Sequence, residues 1–201
     1  MRNKKRILEI ILAASITFVL TKVLIYNLLR PDWPKVFVAT VALLGVIFPF
    51  FFSYLARERQ VNLPSRFSLS FLVFIFSSLY LGELLNYYEK YWWWDLILHL
   101  VGGMLIVVIG FWVNCIINSQ KKASLRQTPF FVSLFAFTFG VTLSTFWEIF
   151  EFLADAILGT NMIKYTINDT MTDIIVTTLG NFWAAAIYYR HGRRERNKMP
   201  P

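Results

Sequence analysis

Trp147-Glu148-Ile149-Phe150-Glu151 carries two carboxylates inside one of the most apolar stretches of the chain, with Asp155 one turn further on. On a helix the spacings of three and four residues bring Glu148, Glu151 and Asp155 to one face. Like charges at that spacing repel, and carboxylates in apolar surroundings cost several kcal/mol unless compensated. The compensation is a bound cation, a shared proton or a basic partner. Elsewhere the chain places Asp95 and His99 four apart, and Asp169 and Asp173 four apart, again within apolar runs. Glu83 closes another such run. Carboxylates with one imidazole form a hard, oxygen-rich donor set suited to Mg²⁺, Ca²⁺ or Mn²⁺, and His99 leaves Zn²⁺ or Fe open. Asp95, His99, Glu148, Glu151 and Asp173 are the candidate metal ligands, with Glu83 and Asp169 at the periphery. His99 and Glu151 are the candidate proton carriers.

The elements that must hold these residues are membrane helices. The 201 residues are 57% hydrophobic, 18% aromatic and only 16% charged, far from a soluble globular composition. Apolar runs of the length needed to cross a bilayer recur at about 7–29, 36–56, 67–88, 93–117, 129–156 and 169–190. The expected fold is all-α, a single transmembrane domain over 1–201 with six spans. The last four, residues 67–190, are expected to form the functional four-helix bundle. The first run follows Arg2, Lys4, Lys5 and Arg6 but is too long for a signal-peptide core and lacks a small-residue cleavage site, so it reads as a retained span.

The net charge of +8 reports orientation. Basic residues concentrate at 2–6, 57–66, 118–128 and after Tyr189, whereas the intervening loops hold only Arg30, Lys35, Lys90 and Lys164. That bias predicts both termini in the cytoplasm and a multi-pass protein of the cell (cytoplasmic, inner) membrane. Its expected partner is membrane lipid, not nucleic acid. With the termini inside, Glu83, Asp95, His99, Glu148, Glu151, Asp169 and Asp173 all fall at the outer level of the bilayer. Lys22 lies within the first span, and it either snorkels to the interface or faces the acids. Tyr87-Tyr88-Glu89-Lys90-Tyr91-Trp92-Trp93-Trp94 reads as an interfacial aromatic belt. Cys115 is the only cysteine, which excludes an internal disulfide and a thiolate cluster.

Asp95-Leu-Ile-Leu-His99-Leu-Val-Gly102-Gly103 aligns without gaps on Asp173-Ile-Ile-Val-Thr177-Thr-Leu-Gly180-Asn181. Glu83-Leu-Leu-Asn86 has the form of Glu148-Ile-Phe-Glu151. The pattern predicts that hairpin three–four repeats as hairpin five–six, with the site on a pseudo-two-fold axis.

Three motifs in order resemble the YjdF-like bacterial inner-membrane proteins of unknown function. They are Asp95/His99/Gly102/Gly103, Trp147/Glu148/Glu151 and Asp169/Thr170/Asp173/Thr177/Gly180, and they cover roughly 78–190. A remoter likeness is to the VanZ-like membrane proteins, from which this chain departs at Glu151, where Gln would stand, and at Thr177, where Asn would stand. Neither resemblance implies a settled reaction; both imply the fold and the place of the site. Three functions follow from the residues. One is a metal-dependent enzyme at the outer face acting on a lipid or lipid-linked phosphate. The second is a small proton- or cation-coupled transporter, for which six spans would suit a homodimer. The third is a metal-stabilised scaffold without turnover. The substrate is not named by the sequence.

Overall fold

The computed structural model describes residues 2–59, 66–119, 127–159 and 167–198. They are all-helical: α1 (Arg2–Leu29), α2 (Trp33–Glu58), α3 (Phe67–Ile75) running on as a π-helix (Phe76–Leu84), a short α4 (Tyr87–Lys90), α5 (Trp94–Ser119), α6 (Pro129–Leu158) and α7 (Ile167–Lys198). Among the described residues five helical stretches are long and apolar enough to cross a membrane, namely Arg6–Leu29, Trp33–Glu58, Phe67–Leu84, Trp94–Asn118 and Pro129–Leu158. The sixth expected run, 169–190, falls within α7, whose polar positions lower its hydropathy, so length and composition do not mark it as a crossing. Lys164 and the basic residues at 121–126 lie outside the described residues.

Local chemistry sets the helix boundaries. Asp32 caps α2 by accepting from the Lys35 backbone N–H, with Pro34 in the first turn where its missing N–H costs nothing. Thr128 and Pro129 do the same for α6, whose other end closes on Gly159 in the left-handed region at φ 66°.

Two layers pack side by side. In the first, α1, α2 and α3 with its π-helix share a core around Leu20, Ala42, Val46, Leu72 and Leu79. In the second, α5, α6 and α7 pack mutually around Val107, Ala136, Ala184 and Ala185. The layers meet through Phe52 on Trp112, ring centroids 4.1 Å apart, and through Phe74 against Gly102.

The second layer positions the site, and small residues set its spacing. A Cβ on Gly103 would strike the Thr177 carbonyl, and one on Gly180 would strike the Leu100 carbonyl. These nearly reciprocal contacts bring the α5 and α7 backbones together as small residues do on membrane helices. His99 beside Thr177 and, further along both helices, Phe111 stacked on Tyr188 show that α5 and α7 run parallel, in the same sense as the internal alignment of Asp95 with Asp173. Gly110 against Ala136 and Gly140 against Val107 and Asn181 seat the antiparallel α6 on both. The other half of the proposed repeat differs in local geometry. Glu148 sits on a continuous α-helix, whereas its counterpart Glu83 sits on the π-helix.

Candidate functional site

Three helices converge on His99. On its own helix, Asp95 stands one turn earlier, with Oδ1 3.3 Å from Nε2. From α7, Asp173 presents Oδ1 3.8 Å from the same nitrogen. From α6, Glu148 presents Oε1 3.7 Å from Nδ1. Asp95, Glu148, Glu151 and Asp173 are all buried, Asp173 and Glu148 at about 5% exposure or below.

The imidazole is oriented by Thr177. The Thr177 hydroxyl donates to the Asp173 backbone carbonyl at 2.6 Å. It has one proton, so at 3.1 Å from His99 Nδ1 it can only accept, and Nδ1 carries the hydrogen of that bond. Nε2 is then the nitrogen turned toward Asp95 and Asp173. An imidazole lone pair facing two carboxylates needs a positive charge between them, either a proton or a metal ion. A second ring nitrogen held by a hydrogen bond, here to Thr177 with Glu148 beside it, is the arrangement that fixes tautomer and orientation in metal-binding histidines.

Two groups have ligand atoms all within 4.8 Å of one another: Asp95, His99 and Asp173, and His99, Glu148 and Glu151. Metal–ligand bonds of roughly 2.1 Å put opposite ligands about 4.2 Å apart, so small side-chain shifts close either group on an ion. Glu151 is held by Trp147, whose indole N–H donates to Oε1 at 2.8 Å. Glu148 differs: Oε2 is buried, and among the described residues no group donates to it. An acceptor buried without a donor costs about 1–3 kcal/mol, more when it is charged, and this one lies in the wall of the carboxylate cluster.

Beneath this level the bundle is closed and neutral. Ser144, one turn below Glu148, donates to the Gly140 carbonyl and accepts from Asn181 Nδ2 at 3.3 Å. Asn181 is fully buried, and its Oδ1 lies where a Cβ on Gly140 would fall, so it rests against the glycine backbone.

The structure thus brings together all five candidate ligands. Glu83 and Asp169 are in neither group; Glu83 is on the π-helix, and Asp169 is one turn before Asp173 in the first turn of α7. Asp155, one turn past Glu151, is also outside both. The site draws on α5, α6 and α7, while the third span contributes its flank. Lys22 is exposed, with its ammonium 4.7 Å from the Phe18 ring centroid on the same helix, so it does not face the acids.

One neighbour is hidden in the sequence by its surroundings. Trp92 is 81% exposed, as a belt residue should be, but Tyr88 turns inward. Asn86, at φ 56°, reverses the chain after the π-helix. The Tyr88 ring then fills the space left by Gly82, where no Cβ fits, and its hydroxyl pairs with Ser78 at 2.9 Å. Trp94 Nε1 donates to the Ser77 carbonyl, tying the start of α5 to the π-helix. Asp95, Glu83 and Glu151 all act electrostatically on the Tyr88 phenol. The signal available in sequence was Gly82 six residues before a tyrosine, too weak to separate it from the aromatic run.

Comparison with known proteins adds a family and no reaction. Residues 12–194 match the family described as "Predicted membrane protein (DUF2238)". An uncharacterised protein of Thermotoga maritima is 32% identical over 147 residues, covering 73% of this chain and 72% of that protein. No solved structure matches. None of these findings bears on the likeness to VanZ-like proteins. The match runs from the first helix to the last and takes in every residue of the cluster, and on that ground the chain belongs to the DUF2238 family of predicted membrane proteins.

Proposed function

We propose that this is a six-span cell-membrane protein, both termini cytoplasmic, whose outer-level cluster binds a divalent cation and uses it on a lipid or lipid-linked phosphate. The observation that carries the reading is the orientation of His99. Its Nδ1–H is committed to Thr177, and its Nε2 faces the carboxylates of Asp95 and Asp173. Asp95, His99 and Asp173 would hold the ion. Oxygen-rich ligation favours Mg²⁺, Mn²⁺ or Ca²⁺, with Zn²⁺ or Fe accommodated by the imidazole. A divalent ion there would neutralise phosphate charge and lower the pKa of a bound water.

The partnerless Oε2 of Glu148 makes that residue the better proton carrier, with Glu151 fixed by Trp147 beside it. His99, engaged at both nitrogens, is then a ligand and not the general base. The closed layer of Ser144, Asn181, Val107 and Ala136 beneath the cluster argues against a transport path through the bundle.

The test is phosphate release from a polyprenyl diphosphate by the purified protein in liposomes. Release should require added Mg²⁺ or Mn²⁺, stop with chelator, and fall at least about 100-fold in Glu148→Gln, within the usual range for loss of a general base. A cation or proton flux with no phosphate release would overturn the enzyme reading in favour of transport.

A further inference from the structure

The opposite end of α7 carries a second site, independent of the cluster. Ala186, Tyr189, Arg190, Arg193 and Arg194 line an open groove of about 590 Å³ along the helix surface. Their spacings of three and four residues place them on one strip of the helix. All three arginines are exposed, and among the described residues no carboxylate pairs with any of them. Three guanidinium groups along one groove, with no carboxylate partner among the described residues, repel one another and present a fork geometry that fits phosphate oxygens.

The strip is held in place rather than frayed. Tyr188 stacks on Phe111 of α5 with centroids 4.0 Å apart, and Gly192 sits against Pro129 at the start of α6. Depth and neighbours identify the ligand. Arg190 lies seventeen residues beyond Asp173, about 26 Å of helix rise, which is close to the thickness of a bilayer core. Trp183 and Ile187, on the strip that leads to Arg190 and Arg194, are 56% and 54% exposed. An apolar surface that runs straight into a guanidinium-lined groove with a tyrosine at its edge suits acyl chains below and a phosphate headgroup above.

We propose that this groove binds the phosphate headgroup of an anionic phospholipid in the leaflet opposite the carboxylate cluster. The experiment is native mass spectrometry of the full-length protein with phosphatidylglycerol or phosphatidylcholine. Wild type should retain phosphatidylglycerol roughly tenfold better, and R190Q/R193Q/R194Q should lose that preference. R57Q/R59Q/R66Q, which removes the same charge elsewhere, should stay within about twofold of wild type, so that a site is told apart from diffuse attraction. A melting curve checks that each triple variant is folded. If the groove triple is not, R190Q and R193Q singly should each cost about threefold in retention, a partial share of the same attraction. Equal loss in both triples, or no loss in the groove variants, would overturn the proposal. Displacement of the lipid by millimolar inorganic phosphate would overturn it too, since the ligand would then be a soluble phosphate.

Discussion

His99 carries the account at the scale of single residues, because two hydrogen bonds decide which of its nitrogens faces the acids. Thr177→Val keeps the shape of the side chain and removes the acceptor for Nδ1–H. It should weaken cation affinity about 10- to 100-fold, as loss of such an outer-shell partner does, while leaving the fold intact; calorimetric titration with Mn²⁺ measures this. An unchanged affinity would mean that Thr177 does not set the ring. Tyr88→Phe leaves the buried Ser78 hydroxyl without that partner and should lower unfolding stability by about 1 kcal/mol, readable in a denaturant melt. The five residues of the cluster were readable in sequence because acids and a histidine within apolar runs have few reasons to be there. Thr177 and Tyr88 were not, since a threonine in an apolar helix and a tyrosine in an aromatic run are ordinary residues until their partners are known.

Among the elements, the parallel crossing of α5 and α7 matters most, since it alone brings His99 to Asp173 and Thr177. Gly103 and Gly180 each face a carbonyl of the other helix. Gly180→Ala should therefore push the helices apart, destabilise the protein by about 1–3 kcal/mol and weaken cation binding, since the two halves of the ligand set separate. Gly159→Ala, strained at φ 66° and costing about 1 kcal/mol of stability, lies away from this crossing and should leave cation binding unchanged. The small-residue stripes announced this crossing in sequence, and so did the alignment of Asp95 with Asp173. The π-helix at Phe76–Leu84 was unreadable. A wider turn is fixed by tertiary contacts, here Tyr88 on Gly82 and Trp94 on the Ser77 carbonyl, and not by local propensity.

For the whole molecule, the sequence was most informative about class and least about the last span. Composition and run length gave an all-helical membrane protein; α7 is less apolar than the other long helices because polar residues, Asp173, Thr177 and Asn181, are buried on its packed face. Orientation is tested in a Cys115→Ser background. Lys90→Cys should react with a membrane-impermeant maleimide on intact cells, and Arg194→Cys only after permeabilisation. The reverse pattern would place the cluster at the cytoplasmic face. The central claim, that a metal ion and not a proton supplies the charge at His99 Nε2, is tested most directly by elemental analysis of protein purified from metal-replete cells. About one divalent ion per wild-type chain is expected, lost in Asp173→Asn and His99→Gln, with a melting temperature that falls on chelation. A wild-type protein free of metal, whose melting temperature chelator does not move, would contradict it and leave an imidazolium between Asp95 and Asp173.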